Sequence, residues 1–518
     1  MSRKLSLAFG LSAILAAAVA AAAPASAQRS KDTIRLAIND MFPSSDPYNF
    51  PYDENSQFYR TAYQTLIAFD EHTGKFVPVL AKSFTRIDHS TIEMELRDDI
   101  TFHNGDPFTA DDVRTTFAWA GDPKTRVRFK NNYDWIKEVE VLAPHKIRIH
   151  AKEPNSEDMS KLAYSLAVLD GKVLAGLDNK GEYGRVSPIG TGPYKIDYVD
   201  RNKGILVERY AGYKGDTEHY RAPVKYVHGI PMPDRGTQKA QILTGGIDLL
   251  RNVEVDDAKS LAEAPNLKVT ATASSEILYV TLDAAGRSGN KAMTDVRVRE
   301  AFEKAIPRRE LVKHFVPGGE IAEIPDAICF KETIACKPTT KPYEYDPAGA
   351  KKLLAEAGYA NGLELELDCA GPVKQIAEAI AGEIRKVGFR ATVRPLDAGL
   401  RHKMRGDGEL TAFFAFYPTS SNPDASNILS FFFGADRDYT HDPAIKQAME
   451  AGKEEFDLAK RAALYTPVLD LINTKAYVYP MSEMPIVWVH TKEVKLLVNP
   501  LSQGERRIGD FAWSDDKG

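Results

Sequence analysis

Cysteine is almost missing from this chain: three in 518 residues, too few for a disulfide-built scaffold or a four-cysteine zinc site. Catalytic signatures are missing too. No Gly-x-Ser-x-Gly elbow, His-Glu-x-x-His, Cys-x-x-Cys or dinucleotide-binding glycine pattern occurs, which removes the usual nucleophile, zinc site and cofactor loop of an enzyme. The eleven histidines are scattered. The closest pair, His145 and His150, flanks a short strand at an offset that sends the two rings to opposite faces. His103, His314 and His402 could meet only through the fold, and no metal or cofactor is expected. A basic excess is also lacking, the net charge being −5, which argues against a nucleic-acid-binding face. There are no internal repeats.

What is present begins with a leader. Arg3 and Lys4 precede an apolar run from Leu5 to Ala23 and the small-x-small string Ala25-Ser26-Ala27, the pattern of a cleaved signal peptide over residues 1–27. The run could just span a bilayer as an anchor. Its alanine richness, the cleavage site and the polar Gln28-Arg29-Ser30-Lys31 that follows favour export and removal. No cysteine stands at the cleavage point, so no lipid or membrane anchor is expected and the address is the periplasm of a two-membrane bacterium. Loss of the leader's two positive charges takes the net charge from −5 to −7, a mild acidic excess suited to solubility. At this length two or three domains are expected. An oxidising compartment permits a disulfide between Cys329 and Cys336, with two free thiols as the alternative. Cys369, at the end of a strand, reads as a small buried apolar residue.

One stretch organises the rest: Phe102-His103-Asn104-Gly105-Asp106-Pro107-Phe108-Thr109-Ala110-Asp111-Asp112-Val113. Asn104-Gly105 tolerates positive φ and Pro107 sets the next corner, so a strand arriving through Met94 to Leu96 turns here. A helix then starts at Thr109, a natural N-cap with Asp112 at the third helical position. The string resembles the signature of the large extracytoplasmic solute-binding proteins that serve ABC importers, the family of the dipeptide-, oligopeptide- and nickel-binding proteins. Three further strings lie in family order: Pro188-Ile189-Gly190-Thr191-Gly192-Pro193-Tyr194-Lys195, then Ala240 to Asp248, then Asp295 to Phe302. The resemblance covers nearly all of the chain after the leader. It implies an α/β, two-lobed periplasmic-binding-protein fold of type II, cluster C-like, with an extra subdomain in lobe I and a two-strand hinge.

Along the chain, Thr33 to Ile38 alternates as a half-buried strand, and Phe58, Ala62, Leu66 and Ile67 predict a helix over 57–69. Gly190-Thr191-Gly192-Pro193 lacks the Gly-Lys-Ser/Thr ending of a phosphate loop and reads as a structural turn. Thr294 is expected to cap the helix carrying Val298, Ala301 and Phe302. Beyond it, helices over 347–357 and 373–387 alternate with strands over 363–368 and 389–393, which implies strand-helix-strand crossovers and a mostly parallel sheet. Crossings near residues 276 and 485 make the hinge. By the family pattern, lobe I comprises 28–275 with 485–518, including a subdomain at about 75–187, and lobe II comprises 276–484.

Two lobes on a hinge can close over a solute, and three segments are expected to line the cleft. The loop Met41 to Tyr48, with Phe42, Asp46 and Tyr48, follows the carboxyl end of the first strand, where open α/β sheets bind ligands; aromatic cover for the lobe edge is the plain alternative. Arg251 and Asn252 follow strand Ile247 to Leu250, and Arg251 could pair with a ligand carboxylate or be a solvated surface arginine. The third is Phe416-Tyr417-Pro418-Thr419-Ser420-Ser421-Asn422-Pro423-Asp424. In the peptide-binding members the resemblance implies an acid four residues before the proline, gripping the ligand's α-ammonium. Here that position is Thr419, and Asn422 rather than an acid precedes the proline.

An ammonium enclosed without a carboxylate costs on the order of several kcal/mol. Thr419, Ser420 and Asn422 beside Phe416 and Tyr417 therefore suit neutral polyhydroxy or blocked ligands, such as oligosaccharides, opine-like conjugates or modified peptides, unless Asp46 or Asp424 restores the acid. The expected function is a monomeric, non-enzymatic binding component that delivers a small polar organic solute to the permease subunits of an ABC importer. The alternative is a secreted hydrolase of peptides or glycosides.

Overall fold

Strand Thr33–Ile38, with Ile34, Leu36 and Ile38 sealed, pairs in parallel with Tyr226–Pro231 on one side and Leu249–Arg251 on the other. Antiparallel neighbours extend it to seven strands in the order Leu267–Thr272, Ile486–Thr491, Leu249–Arg251, Thr33–Ile38, Tyr226–Pro231, Gly204–Arg209 and Tyr194–Asp200. This is the sheet of lobe I. The computed structural model describes residues 32–39, 44–49, 56–70, 73–215, 220–274, 276–418, 424–497 and 507–514, so the leader lies outside the described residues. A second, four-stranded antiparallel sheet is formed by Ala81–Asp88, Thr91–Leu96, Lys146–Ala151 and Ile136–Ala143. Its Ile92, Met94, Ile147 and Ile149 belong to the same apolar core as Ile34 and Leu36.

The organising stretch turns and enters helix Ala110–Gly121. Thr109 donates from its N–H at 2.8 Å and its hydroxyl at 3.0 Å to Asp112, and Asp112 also accepts the Gly171 N–H at 2.8 Å. His103 joins this stretch to the glycine turn: its N–H donates to Gly190 O at 2.8 Å, its Nε2 lies 2.9 Å from Gly192 O, and its Nδ1 accepts the Gly190 N–H at 3.2 Å. Burial pushes the imidazole down to about 4, so it is neutral with Nε2 as the donor. A Cβ on Gly190 or Gly192 would run into the carbonyls of Ala62 and Thr61. The two signature strings are thus one structural joint.

Lobe II is built on five strands in the order Phe389–Leu396, Leu363–Ala370, Ala412–Pro418, Glu276–Leu282 and Val478–Glu483. The crossover through helix Lys374–Val387 makes Leu363–Ala370 and Phe389–Leu396 parallel, as the alternation predicts. The expectation of a mostly parallel sheet is only partly met. Glu276–Leu282 brings the chain in and Val478–Glu483 takes it out, and each is antiparallel to its neighbours.

Two local readings are corrected. Helix Ser56–Ala62 stops early, and Ile67–Asp70 is a strand because it pairs with Lys75–Pro78; a non-local ladder overrides the helical spacing of Leu66 and Ile67. Asp295, not Thr294, caps helix Val296–Lys304, accepting the Arg297 N–H.

One core draws on residues between 277 and 481, and another on residues between 34 and 249 together with 486–513. The chain passes between the sheets after Thr272 and again after Glu483. Glu483, which is sealed, holds the two passages together: its carboxylate accepts the Ser274 N–H and, at 3.0 Å, the Glu323 N–H. The Ser274 hydroxyl adds a bond to Met484 O at 2.7 Å. A disulfide joins Cys329 to Cys336 across 6.3 Å between their Cα atoms, and Cys369 is a buried free thiol.

Candidate ligand site

Of the eleven candidate ligand contacts, Phe42, Thr419, Ser420 and Asn422 lie outside the described residues. The other seven fall into two groups. Asp46 and Tyr48 face inward. The Asp46 carboxylate accepts the Tyr48 N–H at 2.8 Å and the Asn49 amide at 2.6 Å, and burial pushes its pKa up. Its loop is pressed against Gly184, whose carbonyl takes both the N–H and the hydroxyl of Ser45 at 2.8 Å. Tyr48 is sealed, donates to Ala167 O, and packs edge-on against Trp119 with ring centres 5.2 Å apart.

Asp424 is also internal. It caps helix Ala425–Phe433, accepting the Ser426 N–H at 3.0 Å. Its other oxygen meets Arg461 Nη2 at 2.5 Å and Ser160 Oγ at 3.4 Å. Both members of this pair are at most 1% exposed, and Arg461 reaches on to the Ser156 carbonyl at 2.6 Å. Burial pushes the Asp424 carboxyl up, and the Arg461 guanidinium opposes it.

Phe416 and Tyr417 end strand Ala412–Pro418, where Phe416 stands opposite Leu278 and Tyr417 opposite Ile277. The Tyr417 ring lies 4.0 Å from that of Phe431, and its hydroxyl accepts the Asn427 amide at 2.9 Å. Arg251 ends strand Leu249–Arg251 opposite Trp488, with its guanidinium 5.8 Å from the indole centre. Asn252 follows in the left-handed region at φ 55° and is exposed.

The structure adds one residue that sequence reasoning missed. Glu276 opens the lobe II strand, pairs in register with Pro418 and is partly exposed. Its carboxyl is pushed up by burial and pulled down by the Arg251 guanidinium. A charge at the head of an otherwise apolar strand, Glu276-Ile277-Leu278-Tyr279-Val280, was the available signal. Among the described residues no group of three His, Cys, Asp or Glu is placed to hold an ion.

Residues 75–440 match the family described as "Bacterial extracellular solute-binding proteins, family 5 Middle". The glutathione-binding protein GsiB of Escherichia coli (strain K12) is 26% identical over 491 residues, covering 90% of this chain and 91% of that protein. GsiB of Shigella dysenteriae serotype 1 (strain Sd197) is similar to the same extent. Among solved structures, NikA from Brucella suis in complex with Fe(III)-EDTA superposes with a TM-score of 0.81 at 21% identity, over 93% of this chain and 100% of that one. DppA from Helicobacter pylori in complex with peptide STSA gives 0.72 at 22%, over 93% and 98%. These structural likenesses confirm the two-lobed α/β fold. The family match covers well over half of the sequence, and the chain therefore belongs to the bacterial extracellular solute-binding proteins, family 5, which are binding proteins and not enzymes.

Proposed function

We propose that this protein is the exported, periplasmic binding component of an ABC importer and carries a small polar organic solute of the modified-peptide kind to the permease subunits. One observation carries the ligand class. Both acids able to replace the one missing at Thr419 are spent inside the protein, Asp424 on Arg461 and Asp46 on its own loop. An ordinary α-ammonium held by the 419–424 segment would stay uncompensated.

GsiB is by name a glutathione-binding protein, and one solved neighbour holds agropinic acid, which supports that choice. Other neighbours hold the ordinary peptides STSA and Met-Leu, the class the test has to separate. Separate cores and paired passages support a monomeric trap, with lobe I over 28–275 and 485–518, a subdomain near 75–187, and lobe II over 276–484. The hydrolase alternative gains no support from the relatives.

A thermal-shift series with glutathione, N-acetylglutathione, an opine, unmodified tripeptides, oligosaccharides and a Ni²⁺ chelate tests the reading. A ligand at 100 times its Kd stabilises the folded form by about 2.7 kcal/mol. An opine without a primary ammonium should give the largest rise and be recovered unchanged by mass spectrometry, and N-acetylglutathione should exceed glutathione, whose free ammonium lacks a carboxylate partner. Larger shifts with unmodified peptides refute the ligand class, and a chemically altered solute refutes the binding role.

A further inference from the structure

Besides the two chain passages, the cores meet a second time through side chains. Ser156 precedes helix Asp158–Tyr164, whose Leu162 belongs to the core of Ile34 and Leu36. Its hydroxyl donates to Gly452 O at 2.6 Å and its N–H to Lys453 O at 3.0 Å. Gly452 and Lys453 end helix Pro443–Lys453, whose Ile445 belongs to the other core. From helix Leu458–Thr474 of that same core, Arg461 reaches the Ser156 carbonyl at 2.6 Å. Phe456 stands at the corner between these two helices. Its ring is half-buried, with the Arg86 guanidinium 4.3 Å from its centre and the His89 ring centre at 4.8 Å. Arg86 and His89 come from the end of strand Ala81–Asp88 and its turn, and a 2.6 Å bond to Asp158 aims the guanidinium.

Two features mark this contact as one that parts. Apart from the Phe456 ring, it is made of hydrogen bonds that water can replace. It is also incompletely satisfied, since Arg86 Nη1 and Arg461 Nε are buried with no hydrogen-bond partner among the described residues. A permanent interior rarely leaves such donors dry, whereas surfaces that separate return them to water. We propose that Arg86, Ser156 and Phe456 form a clasp that holds the two lobes together in the empty protein and so sets the balance between its open and closed forms. They are positioning residues: they act on binding through the population of the closed form, not by contact with the solute. The clasp goes beyond the functional reading above and needs only that the two cores move about their paired passages. The apparent affinity for a solute then follows the closed fraction.

Double electron–electron resonance on the ligand-free exported chain, spin-labelled at K82C and K460C, reads this balance as a distance distribution. Both positions are exposed, while Cys369 is buried and Cys329 and Cys336 are bonded to each other, so the labels go to the introduced thiols. The labelled parent should show a dominant short distance. F456A should move the closed-to-open ratio about two- to fivefold toward open, and F456Y, which keeps the ring, should stay within about twofold of the parent. S156A, which deletes the bond to Gly452 O, should move it the same way, and F456A/S156A should carry both shifts. A parent that is mostly open overturns the clasp. So do distributions of F456A, S156A and the double variant that all match the parent, or an F456Y chain as open as F456A. Thermal melts confirm folding of each labelled chain, and S156A keeps the test intact where F456A is unfolded.

Discussion

Arg461→Met should be among the most damaging single substitutions in the protein, and the structure says by how much. Arg461 is 1% exposed and Asp424 is fully buried. Nη2 serves Asp424 at 2.5 Å and Nη1 serves the Ser156 carbonyl at 2.6 Å. Ser156 in turn donates its hydroxyl to Gly452 O at 2.6 Å and its N–H to Lys453 O at 3.0 Å, so the arginine also ties the segment after strand Lys146–Ala151 to helix Pro443–Lys453. Methionine keeps the volume and strands the carboxylate. Breaking a buried pair from one side costs about 3–5 kcal/mol. At roughly 2–4 °C per kcal/mol for a unit of 150–250 residues, melting should fall on the order of 10 °C.

The sign of the pH dependence follows. Burial already holds the Asp424 carboxyl above its ordinary value, and Arg461 is the main pull the other way. Without Arg461 the folded pKa climbs further above the unfolded one. The carboxyl then takes a proton in the folded state, so the penalty is least in acid and grows as pH rises through the raised value. Scanning calorimetry should show a wider gap between variant and wild type near pH 8 than near pH 5. The double variant D424N/R461M removes both charges and keeps an Asn cap, and should regain most of the loss. A melting point within about 2 °C of wild type at pH 8 would refute the reasoning, as would a double variant no better than the single one.

Two further outcomes are expected. The neutral His103, held down to about 4 against an ordinary 6.5, refuses a proton that the unfolded chain accepts. Its contribution is full above pH 6.5 and drains away as pH falls toward about 4, at most about 3 kcal/mol; urea unfolding at pH 7 and 4.5 should show a shallower acid loss in H103Q than in wild type. Reducing the Cys329–Cys336 bond, which closes a loop of sequence separation 7, should cost roughly 2 kcal/mol. Melts with and without dithiothreitol measure that loss, and in C329S/C336S the reductant should have no effect.

Much of the fold is readable because local signals agree with tertiary need. Ile376, Ile380, Ile384 and Val387 mark one face of a helix at the right spacing, and that face is the one buried. Thr109 and Asp112 start their helix by bonds that span three residues. The break at Ala62 is not readable in this way, since it depends on Ile67 meeting Pro78 across a turn. The site suffers most from this. An acid and an aromatic in a loop look alike whether they point at a ligand or at the core, and what turns Asp424 inward is an arginine 37 residues away. Tyr48 is turned by Ala167, 119 residues away.

Charge compensation separates the two cases. Buried Asp248 takes three hydrogen bonds from Arg35, Asp368 pairs with Arg394 at 2.7 Å, and Asp158 pairs with Arg86 at 2.6 Å. Glu483 is satisfied by two backbone N–H groups. Glu303 is the instructive exception, with one oxygen sealed and unbonded. Burial pushes its carboxyl up to about 8, so near neutral pH it is largely uncharged, and no solute can reach it. Glu276 differs: it is partly open to solvent, and no hydrogen bond or ion pair from the described residues reaches its carboxylate. Burial pushes that carboxyl up, so its charge is held at a cost near neutral pH. Glu276→Gln should therefore raise the apo melting point at pH 7, and a fall instead would make it one more structural acid.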